Sequence, residues 1–205
     1  MSDSDETAVR SATIDRKTLE TSVKVRLDLD GTGYHEVNSG LPFFDHMLCQ
    51  LAKHGRMDLW VEASGDLVVD AHHTVEDVGI AFGRALGAAL GERRGIRRFW
   101  SCSVPLDEAL VEVALDLSGR PFLHWAVRLP ESASALGTPA FDPHLAEDFW
   151  AAAVVGAGLT VHVESRRGRS PHHILEAAFK AMGLAIREAA CVVGHSVPST
   201  KGSLG

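Results

Sequence analysis

From Val23 to Leu29 apolar and charged residues alternate, with Val23, Val25, Leu27 and Leu29 set against Lys24, Arg26 and Asp28. A period of two sends the two sets to opposite faces, so the segment predicts a half-buried strand. The Asp30-Gly31-Thr32-Gly33 run is a turn signal and predicts a hairpin with a second strand around Tyr34–Asn38. Phe43–Lys53 predicts a helix with Asp45 near its start, and Met57–Ala63 alternates again as a strand. Val75, Val78, Phe82, Leu86 and Leu90 then recur at helical spacing over Thr74–Leu90, and Gly91 and Gly95 end that run.

The second half of the chain repeats this order. Ser103–Leu117 reads as strand, punctuated by Pro105 and by the Asp116-Leu117-Ser118-Gly119 turn, and Pro121–Leu129 is another strand. A connection containing Pro130, Pro139 and Pro143 leads to a helix over about Leu145–Val155, a strand over Leu159–Ser165 and a helix over Ile174–Ala190. Each half therefore predicts strand, strand, helix, strand, helix. The repeat extends to single residues: His72-His73-Thr74-Val75-Glu76 and His172-His173-Ile174-Leu175-Glu176 both open the last helix of their half. Internal duplication is the economical explanation, with a first half-repeat over residues 10–97 and a second over 98–205. Each half supplies one sheet and two helices. This predicts an α+β fold with helices packed on one face of mixed, mainly antiparallel sheets.

Composition narrows the function classes. The 205 residues carry 20 Lys and Arg against 27 Asp and Glu, a net charge of −7, which argues against a nucleic-acid binder. The longest apolar stretch, Ala151–Val161, is too short to span a bilayer and is broken by Gly156 and Gly158. Cys49, Cys102 and Cys191 form no CxxC pair, and the first thirty residues hold no apolar signal core. Both features point to a cytoplasmic protein with reduced thiols. Residues 1–9 are acidic and poor in apolar groups, and are expected to form a disordered tail. Histidine is the outlier, with 11 residues against 1 Tyr and 4 Met.

Four of those histidines form a chemical pattern. In each HHxxE motif the two His precede the Glu by four and three residues, so on a helix they share a face with it. Two copies offer four imidazoles and two carboxylates without a thiolate, a donor set suited to a borderline-hard divalent metal and leaning towards Mn. Such His and Glu motifs from paired helices are a known way of building a two-metal site. One HH pair is more often a polar helix start, but a second copy at the equivalent place makes a metal site the stronger reading. Asp70 and Asp77 are candidate partners for imidazole N–H groups, and surface charge or a helix cap is their alternative. His46 lies on an otherwise apolar helix, and Glu20 reads equally as an exposed strand carboxylate. Arg98, Arg120, Lys180 and Lys201 are candidates for clamping a phosphate. The chain has no P-loop, no dinucleotide glycine fingerprint and no GxSxG elbow.

Several segments together resemble the imidazoleglycerol-phosphate dehydratase family, the lyase of histidine biosynthesis. They are Arg16-Lys17-Thr18-Leu19-Glu20-Thr21, Leu29-Asp30-Gly31-Thr32-Gly33, FFDHMLCQLAKHG at 43–55 and GDLVVDAHHTVEDVGIAFGRALG at 65–87. Val104-Pro105-Leu106-Asp107-Glu108-Ala109, LDLSGRP at 115–121, HHILEAAFKA at 172–181 and VPSTKG at 197–202 complete the set. The match covers nearly the whole chain after residue 10, in the family's order.

The resemblance implies a duplicated βαβ-type half of the ribosomal protein S5 domain 2-like kind, assembled as a homo-24-mer with sites between subunits. It implies two Mn2+ ions per site and a small imidazole phosphate substrate, with no nucleic-acid or membrane partner. By the family's pattern His46, His73, His172 and Glu176 bind one metal. His72, Glu76 and His173 bind the other, with a further ligand near Asp148. Glu20 is the implied acid–base residue, and His72, Glu76, His172 and Glu176 join it in the catalytic set. The implied substrate contacts are Glu20, His46, Gln50, His54, His72, His172 and Thr200, with Arg98, Arg120, Lys180, Ser199 and Lys201 on the phosphate. The implied reaction dehydrates D-erythro-imidazole-glycerol phosphate to imidazole-acetol phosphate through a metal-bound imidazolate. Asp148 stands where the family usually has a ligand histidine, and His144, one turn earlier, is the alternative ligand. The competing function is therefore a catalytically impaired paralogue that keeps the metal-binding assembly.

Overall fold

The computed structural model describes residues 10–204, so the expected tail over residues 1–9 lies outside the described residues. The first half contains β1 (Ser11–Lys17), β2 (Thr21–Asp28), β3 (His35–Asn38), α1 (Pro42–Gly55), β4 (Asp58–Gly65) and α2 (His72–Leu90). The second contains β5 (Phe99–Leu106), β6 (Ala109–Asp116), β7 (Phe122–Ala126), α3 (Leu145–Ala157), β8 (Thr160–Arg167) and α4 (Pro171–Ala189). Their sheets share one topology, β1-β2-β4-β3 and β5-β6-β8-β7. In each sheet the first two pairings are antiparallel and the last is parallel. The fold is thus α+β and duplicated, as the repeat predicts.

Each half has three strands before its first helix, where the hydrophobic pattern predicts two. Ser11–Lys17 has few large apolar residues, yet it pairs along the whole of β2. Ser103–Leu117 is not one strand. Asp107, at φ 48, turns β5 back into β6, and Pro105 is tolerated because β5 lies at the sheet edge. The expected hairpin between β2 and β3 is also corrected. Both edges of β2 are taken by β1 and β4, so β3 runs parallel to β4 instead. The Asp58 carboxylate holds the intervening loop, accepting from the backbone N–H of Thr32, Gly33 and Tyr34 at 2.7, 3.0 and 2.9 Å.

Val23, Val25 and Leu27 are buried on one face of β2, and their neighbours point to solvent. Helix α2 covers β1 and β2, and α4 covers β5 and β6. The halves join helix to helix, α2 on α3 and α1 on α4. Glycines permit that closeness. A Cβ on Gly83 of α2 would lie 2.3 Å from the Ala153 carbonyl oxygen of α3, and one on Gly183 of α4 would lie 2.5 Å from the Leu51 carbonyl of α1. Trp150, Phe149, Phe82 and Phe179 fill the space between these helices. The two interfaces bring the start of α2 to α3 and the start of α4 to α1.

Candidate active site

Helix α4 opens at Ser170, whose Oγ accepts the His173 backbone N–H at 3.3 Å, with Pro171 at the first helical position. His172, Glu176 and Lys180 follow at intervals of four and share a face. On α1 the apolar face formed by Phe43, Phe44, Met47 and Leu51 is buried, which leaves His46 turned towards α4. His46 Nε2 and His172 Nε2 both meet Glu176 Oε2, at 3.0 and 2.9 Å. Lys180 Nζ meets the other Glu176 oxygen at 2.6 Å. Burial opposes the charge on Glu176, but Lys180 and the two imidazoles outweigh it and hold the carboxyl at about 2. Burial and the Lys180 charge together push His54, two turns beyond His46, below the usual histidine range.

The other helix pair builds a related arrangement. Asp70 Oδ1 accepts the His72 backbone N–H at 2.8 Å where α2 begins. Across the interface Asp148 Oδ2 lies 3.4 Å from His72 Nδ1. Asp148 on α3 thus faces the first His of its motif as His46 on α1 faces His172. Glu76 is exposed, one turn beyond His72. His144 is the residue preceding α3, and Asp148 is the one brought to His72.

The second histidines are held elsewhere. His73 Nδ1 lies 3.1 Å from Asp66 Oδ2 and 3.6 Å from Glu20 Oε2, so Glu20, Asp66 and His73 form their own group. His173 Nδ1 lies 2.7 Å from Glu108 Oε2. Asp66 raises the His73 pKa, with Glu20 adding to it, and Glu108 raises that of His173. His173 and the Ser170 and Arg169 amides hold Glu108 at about 2. Beside the first motif, where Asp70 and Asp77 are the candidates read from the sequence, Asp70 accepts the His72 backbone N–H, and buried Asp77 binds Arg16 Nε at 2.9 Å and the Thr21 hydroxyl. Pattern reading misses Asp66 and Glu108, although Glu108 ends a strand turn as Glu20 does. Within one chain His46, His172 and Glu176 converge, whereas His73 sits with a different set.

Arg98, Arg120, Ser199, Thr200 and Lys201 line one cleft. Arg98 has φ 76 and is anchored by Asp116 at 2.7 and 3.1 Å and by the Pro198 carbonyl at 2.8 Å. Its guanidinium is therefore fixed, and Arg120 is the more exposed cation. Lys180, the remaining expected phosphate residue, lies beside Glu176 in the same chain. No helix among the described residues is long and apolar enough to cross a membrane.

The model of the imidazoleglycerol-phosphate dehydratase family matches residues 39–186. The imidazoleglycerol-phosphate dehydratase of Dinoroseobacter shibae is 51% identical over 96% of this chain and 100% of its own. That of Moorella thermoacetica is 50% identical over 95% and 98%. The solved Staphylococcus aureus enzyme superposes with a TM-score of 0.77 at 34% identity, covering 87% of this chain and 97% of its own. The Pyrococcus furiosus enzyme, solved in complex with (S)-C348, gives 0.74 at 32% identity, over 93% and 100%. The chain therefore belongs to the imidazoleglycerol-phosphate dehydratase family, metal-dependent hydro-lyases that remove water from their substrate in histidine biosynthesis.

Proposed function

We propose that this chain dehydrates imidazole glycerol phosphate at a two-metal site completed by neighbouring copies of itself. The observation that carries the reading is the convergence of His46, His172 and Glu176, whose donor atoms lie within 4.8 Å of one another. Imidazole nitrogens and a carboxylate without thiolate fit a divalent ion such as Mn2+. His46, His172 and Glu176 would hold one ion, and His72, Glu76 and Asp148 the second. His73 and His173 of neighbouring subunits would complete the two sets. What supports this division is that each of them lies with a carboxylate outside those sets, Asp66 and Glu108. The assembly we propose is a cytoplasmic homo-24-mer, its chains built of half-repeats over 10–97 and 98–205.

The hydrogen to be lost is bound to carbon with no neighbouring carbonyl, so a lone carboxylate would face a very weak acid. Held by these residues, divalent ions would supply Lewis-acid charge that favours loss of the ring N–H proton, and the electrons left on the ring could then expel the hydroxyl. Glu20, exposed on the β1–β2 turn, moves the carbon-bound proton. Proton and hydroxyl leave as one water, and the resulting enol becomes the ketone of imidazole-acetol phosphate. Arg98, Arg120, Ser199, Thr200 and Lys201 hold the phosphate, with Lys180 reaching it from another copy. Gln50 and His54, in line with His46 on α1, border the ring.

An impaired, non-catalytic assembly is not favoured, because Asp148 keeps a metal-ligating group opposite His72. Assembled protein loaded with Mn2+ is expected to turn over imidazole glycerol phosphate, and metal-stripped protein is not. Anomalous scattering from crystals grown with Mn2+ is expected to show two peaks per subunit. Absence of turnover in the loaded assembly overturns the reading.

A further inference from the structure

The second imidazole of each HHxxE motif is held by a carboxylate that lies outside the motif. His173 Nδ1 is 2.7 Å from Glu108 Oε2, and His73 Nδ1 is 3.2 and 3.1 Å from the two Asp66 oxygens. An ionised carboxylate only accepts, so Nδ1 carries a proton in both rings, and in the neutral imidazole it is Nε2 that has the free lone pair. Glu20 and Glu108 occupy equivalent turns, after β1 and after β5. Only Glu108 is engaged. Its side chain is 24% exposed, whereas that of Glu20 is 58% exposed and stands 3.6 Å from His73. The duplicated turns have diverged, and Asp66 now does for His73 what Glu108 does for His173.

We propose that Glu108 and Asp66 are positioning residues that fix the tautomer and aim of His173 and His73 towards metal. By holding His73, Asp66 releases Glu20 for proton transfer. This rests on the reading of His73 and His173 as ligands. Carboxylate partners of that kind set which ring nitrogen is available to a metal.

The Glu108 geometry supplies a discriminating variant. Its Oε1 accepts the backbone N–H of Arg169 and Ser170 at 3.0 and 2.8 Å, while Oε2 faces His173. In E108Q those two donors keep the amide oxygen on their side and turn the amide NH2 towards His173. Nδ1 must then accept, which places the ring proton on Nε2 and blocks a metal there. E108A removes the partner and leaves either tautomer accessible. A merely structural role makes E108A the more damaging change for metal binding, whereas a positioning role makes E108Q so.

The experiment is Mn2+ titration of the metal-stripped, full-length assembly, with unbound Mn2+ followed by electron paramagnetic resonance, beside thermal unfolding without metal. E108Q is expected to lose roughly 10–100-fold in affinity, more than E108A, although E108A has the lower metal-free Tm. D66A is expected to lose affinity, and E20Q to keep it. Wild-type binding by H173A would overturn the ligand reading and the proposal with it. A weakened H173A beside an E108Q that binds as wild type, or better than E108A, overturns positioning alone. An E20Q as weak as D66A, or a D66A as tight as wild type, overturns the release of Glu20. If E108A fails to fold, E108Q against wild type decides.

Discussion

Asp148 Oδ2 lies 3.4 Å from His72 Nδ1, across an interface between α2 and α3 that mirrors the one setting His46 against His172. The two helix pairs thus present unequal donor sets, one with an imidazole from the facing helix and the other with a carboxylate. D148A is expected to lower Mn2+ retention to about half of its wild-type stoichiometry and turnover by roughly 10–100-fold. D148H restores both, because an imidazole at that position can also ligate. Elemental analysis after dialysis, beside steady-state kinetics, checks this.

Glu20 is exposed, lies 3.6 Å from His73, and belongs to a different group from His46, His172 and Glu176. E20Q is expected to lower kcat by roughly 10²–10⁴-fold, the usual worth of an acid–base group. KM and Mn2+ content should remain near wild type. Retained kcat removes Glu20 from proton transfer.

Gly83 lets α2 approach α3, and with it His72 approach Asp148. In G83A the new methyl would stand 2.3 Å from the Ala153 carbonyl oxygen, which is backbone and cannot swing aside. Overpacking of this kind costs about 1–3 kcal/mol. At about 2–4 °C per kcal/mol for a chain of this size, calorimetry should show a Tm lower by several degrees. Metal-binding losses should follow even though no ligand has changed.

Asp58 ties the loop after β2 to the start of β4. Burial pushes its carboxyl up, but the three backbone N–H groups of Thr32, Tyr34 and Gly33 outweigh it and hold the pKa below 3.8. A carboxyl depressed in the folded state adds stability that is complete above its unfolded pKa. That stability is lost as pH falls through the lower folded value. D58A is expected to cost about 1 kcal/mol at pH 7. The difference from wild type should shrink below about pH 4, as Asp58 is protonated. Urea unfolding at several pH values measures both.

The division between sequence and structure follows from the range of the forces involved. Alternation over Val23–Leu29 and three-to-four spacing over Thr74–Leu90 report local backbone geometry, so strands and helices were legible from single segments. The HHxxE motifs were legible for the same reason, since their spacing places His and Glu on one helix face without reference to the rest of the fold. The sequence by itself therefore determined the duplication, most of the elements but not β1 or the break between β5 and β6, the candidate HHxxE residues and, by resemblance, the family. Strand pairing is non-local. That β3 joins β4, and not β2, depends on which edges are already occupied. The carboxylates are non-local too: Glu108 reaches His173 across 65 positions, Asp148 rather than His144 reaches His72, and Asp77 serves Arg16 and Thr21. Only the tertiary structure decided these partners, because side chains far apart in sequence meet only after the strands have paired and the helices have packed on the sheets and on one another.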